Sequence, residues 1–106
     1  METAQTISVR LGARSYAVGV GPGLLATLGQ TVARLGHVRQ AVIIADANVN
    51  ARYGERVRAG LDAVGLATIQ LEFPPGECNK TPRTWLSLQD GLLGREKPID
   101  RRTVIV

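Results

Sequence analysis

One cysteine in 106 residues excludes an internal disulfide, so a reducing, cytoplasmic compartment is the expectation. There is also only one histidine. Cys78 and His37 have no partners at metal-ligand spacing, so these residues do not propose a zinc site of their own. No apolar run approaches the roughly 20 residues that a membrane-spanning helix needs. Met1-Glu2-Thr3-Ala4-Gln5 has no basic region followed by an apolar one, so neither a signal peptide nor a membrane partner is expected. Lysine occurs only at 80 and 97, and the net charge of +4 is almost wholly arginine. The arginines are scattered and the aromatics few (one Trp, two Tyr, one Phe), so no basic block is interleaved with stacking rings. Solvated helix surfaces account for them, and a nucleic-acid partner is not expected.

What is there is the composition of a soluble globular protein, 44% hydrophobic and 21% charged. The length suits one domain with one real core. Thr6 to Leu11 and Tyr16 to Val20 both alternate apolar with polar or small residues, with Gly12-Ala13 between them. This pattern predicts a β-hairpin with one buried face. Leu24, Leu25, Leu28, Val32 and Leu35 then recur at helical spacing, and Gly36 suits the position just past a helix end. Ala41 to Ala45 is a continuous apolar run, as in a strand buried on both faces of a parallel sheet. Asp46 ends it. Asn48 or Asn50 is expected to cap the next helix, whose stripe is Val49, Tyr53, Val57, Leu61 and Val64, with Gly65 closing it.

Ala67 to Phe73 predicts another strand. Pro74-Pro75-Gly76 leads to Glu77-Cys78-Asn79-Lys80, and Thr81 and Pro82 have the chemistry of a helix start. That helix is expected to face inward with Trp85, Leu86 or Leu88, Leu92 and Leu93, and to end at Gly94. Arg95 to Arg102 reads as a polar connector, and Thr103 to Val106 as one more buried strand. The fold class is therefore α/β: a Rossmann-like parallel sheet with flanking helices and an N-terminal β-hairpin. Ligands in such sheets sit beyond the carboxyl ends of the strands. The last strand has no residues after it, so residues 1–106 read as an N-terminal nucleotide-binding domain whose sheet is incomplete at the C-terminus.

Three stretches carry candidate chemistry. Gly21-Pro22-Gly23-Leu24-Leu25-Ala26 fits a dinucleotide fingerprint on paper. Pro22 removes an N–H that a phosphate cradle would use, and the preceding strand belongs to a hairpin, so a tight strand-to-helix turn is the better reading. Asp46-Ala47-Asn48 closes a buried strand; the two polar residues either cap a helix or serve as carboxylate and amide partners of a nucleotide ribose. Glu77-x-x-Lys80 lies at the same sheet edge, with Lys80 at the positive end of a helix dipole. A cation there opposes the dipole, which makes an anionic or hydroxyl-rich ligand one explanation and a solvated lysine the other.

Arg14-Ser15-Tyr16 leading to Gly19-Val20-Gly21-Pro22-Gly23-Leu24-Leu25 resembles the opening of the 3-dehydroquinate synthases. So do Asp46-Ala47-Asn48-Val49 with Tyr53-Gly54, Gly76-Glu77-Cys78-Asn79-Lys80-Thr81, and Asp100-Arg101-Arg102 before an apolar strand. The resemblance covers the whole chain but only the front part of the family's length. It implies an NAD-dependent, metal-dependent lyase of the shikimate pathway. Such an enzyme converts 3-deoxy-D-arabino-heptulosonate 7-phosphate to 3-dehydroquinate with loss of phosphate. By the resemblance, Asp46 and Asn48 contact NAD on its adenosine side, and Gly76, Glu77 and Lys80 complete the pocket. The zinc or cobalt ion, its ligands and most sugar-phosphate contacts belong to a later domain, and a homodimer is expected of the whole enzyme. The segment alone is then expected to be inactive. The other readings are a related sugar-phosphate cyclase, such as a 2-deoxy-scyllo-inosose or 2-epi-5-epi-valiolone synthase, or a stand-alone nucleotide-binding module.

Overall fold

The computed structural model describes residues 4–95 and 98–106. Residues 1–3, part of the stretch in which no signal peptide was expected, and residues 96 and 97 of the expected connector lie outside the described residues.

The architecture is mixed α/β, with two separate sheets among the described residues. Strands β1 (Gln5–Val9) and β2 (Tyr16–Val20) form the antiparallel hairpin, with Ile7 opposite Val18 and Val9 opposite Tyr16. The expectation of a buried face fails. Ile7 is 55% exposed and Tyr16 57%, and Val18 and Val20 are open as well. Alternation aligned the apolar side chains across the two strands, but no element of the described chain covers them.

The parallel sheet has β3 (Gln40–Asp46) at its centre, between β4 (Ala67–Phe73) and β5 (Thr103–Ile105). β-branched residues suit this central strand, and Ala41 and Val42 are fully buried. Because side chains alternate between faces, Ala41 and Ile43 share one face with Val104. On that face they join Val32, Val57, Leu61 and Leu66 in one apolar cluster. The helical layer there is α1 (Leu28–Ala33), α2 (Ala47–Val49) and α3 (Glu55–Asp62), with a π turn over Asn50–Gly54 joining the last two. Helices α1 and α3 meet at glycines: a Cβ built on Gly29 would land on the Gly60 carbonyl oxygen. The stripe anticipated for the second helix is buried only in its later half. Val57 and Leu61 are covered, while Val49 and Tyr53 remain exposed.

The first helix also differs from its sequence pattern. Leu24–Thr27 is a 3-10 turn, and α-helix follows only from Leu28. Gly36 and Gly65 adopt the left-handed conformation (φ 76° and 84°) just past the helix ends.

Helix α4 (Pro82–Leu93) packs on β4 from the opposite face. It was expected to turn Trp85, Leu86 or Leu88, Leu92 and Leu93 inward. Leu92 is buried and Leu88 half-buried, but Trp85 (59% exposed), Leu86 and Leu93 face outward. Gly91 seats the helix against Leu71, whose methyls would lie 3.4 Å from a Cβ there. This contact sets the rotation of α4 and leaves Trp85 off the sheet. The connector before β5 is fixed by Asp100, whose Oδ1 accepts from Arg102 N at 2.8 Å.

Candidate functional site

Strand β3 ends at Asp46 in extended conformation (φ −70°, ψ 164°), and the helix begins immediately. Oδ1 of Asp46 accepts a hydrogen bond from Val49 N at 2.8 Å. Asp46 is thus the helix cap, rather than Asn48 or Asn50. An aspartate there satisfies an orphan amide and meets the positive end of the helix dipole. Capping does not exhaust the group, because an ionised carboxylate offers about four acceptor positions. Asn50 instead donates from Nδ2 to Glu72 Oε2 at 2.6 Å.

The second loop leaves β4 through Pro74-Pro75. Gly76 has φ 102° and ψ 145°, a backbone that L side chains rarely adopt. A 3-10 turn over Glu77–Asn79 follows, closed by Asn79 N to the Gly76 carbonyl at 3.0 Å. Asn79 Nδ2 also donates to the Pro75 carbonyl at 2.8 Å. Thr81 caps α4, accepting from Thr84 N at 3.3 Å, with Pro82 in the first turn. Local chemistry alone sufficed to place this helix start.

Lys80 is not a free cation at the helix dipole. Its Nζ donates to Glu77 Oε1 at 2.8 Å, an i,i+3 pair that offsets the misplaced charge within the loop. The Lys80 ammonium is held above its ordinary pKa, first by the hydrogen bond to Glu77 and then by the charge of Glu77. Slight desolvation opposes this, and the charge of Asp46 adds a weaker pull in the same upward direction. Asp46 therefore lies within electrostatic reach of Lys80. The strand register agrees: Asp46 is the partner of Phe73, so both loops leave the sheet at one level of its carboxyl edge.

The edge so built has two carboxylates and one ammonium. Carboxylates accept from vicinal hydroxyls, and the ammonium orients them or meets a nearby anion. A phosphate is poorly served at the α2 start, because Asp46 already holds an amide there with negative charge. The Gly21-Pro22-Gly23 turn does not belong to the parallel sheet: among the described residues β2 pairs only with β1, Gly23 is left-handed (φ 77°), and a 3-10 turn follows. It is a strand-to-helix turn, as its proline suggested.

Asn48 is not brought together with the loop pair. It is exposed in the first helical turn and lines a surface hollow with Arg52 and Tyr53. Lys80 lines a different cavity of about 230 Å³ with Phe73, Thr84, Trp85 and Leu88. A third cavity, of about 350 Å³, opens among Leu25, Ala45, Tyr53, Val57 and Val106. It is mainly apolar, and none of the five residues singled out from sequence lines it. Sequence reasoning read Asn50 only as a possible helix cap and passed over Glu72. The available signal was an acid at 72 inside an otherwise largely apolar strand pattern.

No family model matches the chain. Curated relatives do. The chain is 38% identical over 102 residues to the 3-dehydroquinate synthase of Ruegeria pomeroyi, covering 96% of this chain and 27% of that protein. It is 37% identical over 99 residues to the enzyme of that name from Symbiobacterium thermophilum, covering 92% of this chain and 27% of the relative. The corresponding figures for Caulobacter vibrioides are 39% over 90 residues, 84% and 24%. The chain thus spans about a quarter of the length of the curated relatives it matches.

Proposed function

The chain belongs to the 3-dehydroquinate synthase family over the segment it spans, and on that premise we propose that its carboxyl sheet edge is one wall of an NAD site. The observation that carries this reading is the convergence of Asp46 with the Glu77–Lys80 pair at one level of the sheet. Residues 1–106 are then a nucleotide-binding domain within a longer enzyme. That whole enzyme converts 3-deoxy-D-arabino-heptulosonate 7-phosphate to 3-dehydroquinate with release of phosphate.

Bound NAD would supply a reversible hydride acceptor, so the same cofactor molecule serves each turnover. The chain's own residues bind and orient it. Asp46 keeps its cap through Oδ1 and accepts ribose hydroxyls with its remaining lone pairs. Asn48 offers an amide on the adenosine side. Gly76 lets the loop backbone approach without a side chain in the way, and Glu77 holds Lys80 toward the crevice. The donor set fits hydroxyls better than phosphate, which favours NAD over its 2′-phosphorylated analogue. Among the described residues no three His, Cys, Asp or Glu side chains are grouped to hold a metal ion. No helix among the described residues is long and apolar enough to cross a membrane.

Asp46→Asn tests the reading, because asparagine caps helices about as well as aspartate but lacks the charge. Thermal unfolding is expected to stay near wild type, while NAD affinity, measured by titration calorimetry, falls about ten-fold, in line with a lost charged hydrogen bond. Preference for NAD over NADP is expected to shrink with it. Unchanged NAD affinity in this variant would leave Asp46 a helix cap and nothing more.

A further inference from the structure

We propose that Asn50 and Glu72 form a positioning clamp that fixes the Asp46 cap against the Glu77–Lys80 loop, with Gly54 as the residue that makes room for it. Three observations meet at this point. Asn50 Nδ2 donates to Glu72 Oε2 at 2.6 Å, joining helix to strand across 22 residues of sequence. The helix departs from regular α geometry in the π turn that begins at Asn50 and ends at Gly54. A Cβ built on Gly54 would fall on the Asn50 side-chain oxygen, and would also lie 3.2 Å from Gln70 Nε2. Any side chain at 54 would drive Asn50 out of its present rotamer.

The physical argument follows from cost and compensation. A π turn is rare and less stable than the α turn it replaces, and such turns are frequent at functional sites. Something must hold this one open. The Asn50–Glu72 bond is charge-assisted and short, features of the stronger hydrogen bonds, although it lies at the exposed surface where solvent weakens it. It also sits at the base of both loops. Asn50 follows Asp46 by one helical turn, and its N–H closes that turn on the Ala47 carbonyl. Glu72 is the register partner of Ala45 and precedes the stiff Pro74-Pro75 pair that leads to Glu77. Linking 50 to 72 therefore limits how far the cap and the acid–base loop can separate. Asn50 lines the apolar cavity beside Ala45 and Tyr53, and Glu72 a separate hollow with Phe73 and Pro74; neither is among the residues assigned to the nucleotide. Their role is positional, acting through Asp46 on one side and through the prolines on the other.

This inference deepens the nucleotide-site reading, but its first readout is independent of any ligand. In ¹⁵N-labelled chain, amide exchange at Val49 (the donor to Asp46) is compared with exchange at buried Val42 as an internal reference. Asn50→Ala is expected to speed exchange at Val49 about ten-fold relative to Val42, the factor that loss of one charge-assisted bond gives. Glu72→Gln keeps an acceptor oxygen for Asn50 but loses the charge, and is expected to fall between wild type and Asn50→Ala, at about three-fold. If Asn50→Ala does not fold, Glu72→Ala opens the same bond from the strand side. NAD titration of the same variants in the longer enzyme is expected to follow the same order, with Glu72→Gln losing least. Unaltered Val49 exchange in the alanine variants, or an equal rise in Glu72→Gln, overturns the clamp. The exchange differences among these variants together with no affinity for NAD in the longer wild-type enzyme would instead overturn the nucleotide reading while the clamp stands.

Discussion

The hairpin and the parallel sheet contain similar apolar residues and meet opposite fates. In the sheet, Ala41, Val42 and Ile43 lie between helices on both faces and are buried. In the hairpin, Ile7, Tyr16, Val18 and Val20 line up across two strands and stay open to solvent. A period of two states which side chains share a face; it does not state what covers that face. Coverage came from the helices, and these all return to β3 and β4. Two strands alone bury too little for independent stability, so the hairpin contributes little to the cohesion of the described chain.

The sharpest way to break this comparison is to cut into each region equally. Leu61→Ala removes a side chain with no exposed surface from the cluster of Val32, Ile43 and Val57. The expected loss is about 2–5 kcal/mol, measured by urea unfolding. Ile7→Ala on the hairpin is expected to stay within about 0.5 kcal/mol of wild type in the same assay. Comparable losses would mean that the hairpin face is covered in solution, by a partner or by the chain itself.

A smaller effect tests the layer over the sheet. Gly29→Ala adds one methyl where the Gly60 carbonyl already sits, so α1 must shift from α3. Overpacking of this kind costs about 1–3 kcal/mol. The same methyl at Gly12, also a glycine but with open space around its Cβ position, serves as the hairpin counterpart; its cost comes from its positive φ of 62° alone. If Gly29→Ala proves neutral, the helix pair is more loosely seated than its glycine contact implies.

Most of this layering was legible from sequence, because strand burial, glycine helix ends and the Thr81-Pro82 start are local signals. The misses share a cause. Trp85 and Leu93 were expected inward, and Leu86 or Leu88 with them, because helical spacing gives a phase without an origin; Gly91 against Leu71 fixed that origin and chose Leu88. Asn48 or Asn50 was expected to cap the helix, with Asp46 held open as cap or ligand partner; the cap went to Asp46 at the strand end, where extended backbone was already present. The Asn50–Glu72 bond depends on two elements meeting in space, and no window of sequence contains both. At the candidate site, Glu77 and Lys80 were recognisable as an acid and a base three residues apart. That Glu77 neutralises Lys80 within the loop was not, since Lys80 read as a solvated or ligand-facing cation.

The carboxyl edge is the intermediate case, part of the covered sheet yet open to solvent, and it predicts the smallest effect. Lys80 has its pKa raised by Glu77, so folding favours its protonated form. The stabilisation is fully present below the ordinary lysine pKa and is lost as pH rises through the raised, folded-state value. Nothing from this lysine should therefore change across neutral pH, and any loss belongs in the alkaline range. The pair is exposed, and exposed pairs contribute little to stability. A direct readout is the NMR titration of the Lys80 ε-methylene. Its midpoint is expected above that of an ordinary lysine in wild type, and to fall in Glu77→Gln, where the charge of the partner is gone but an acceptor remains. Asp46→Asn should lower it by less, in keeping with its weaker pull. Equal drops in the two variants would mean that Asp46 and Glu77 hold Lys80 alike, which would bring Lys80 further into the crevice than its contact with Glu77 alone places it.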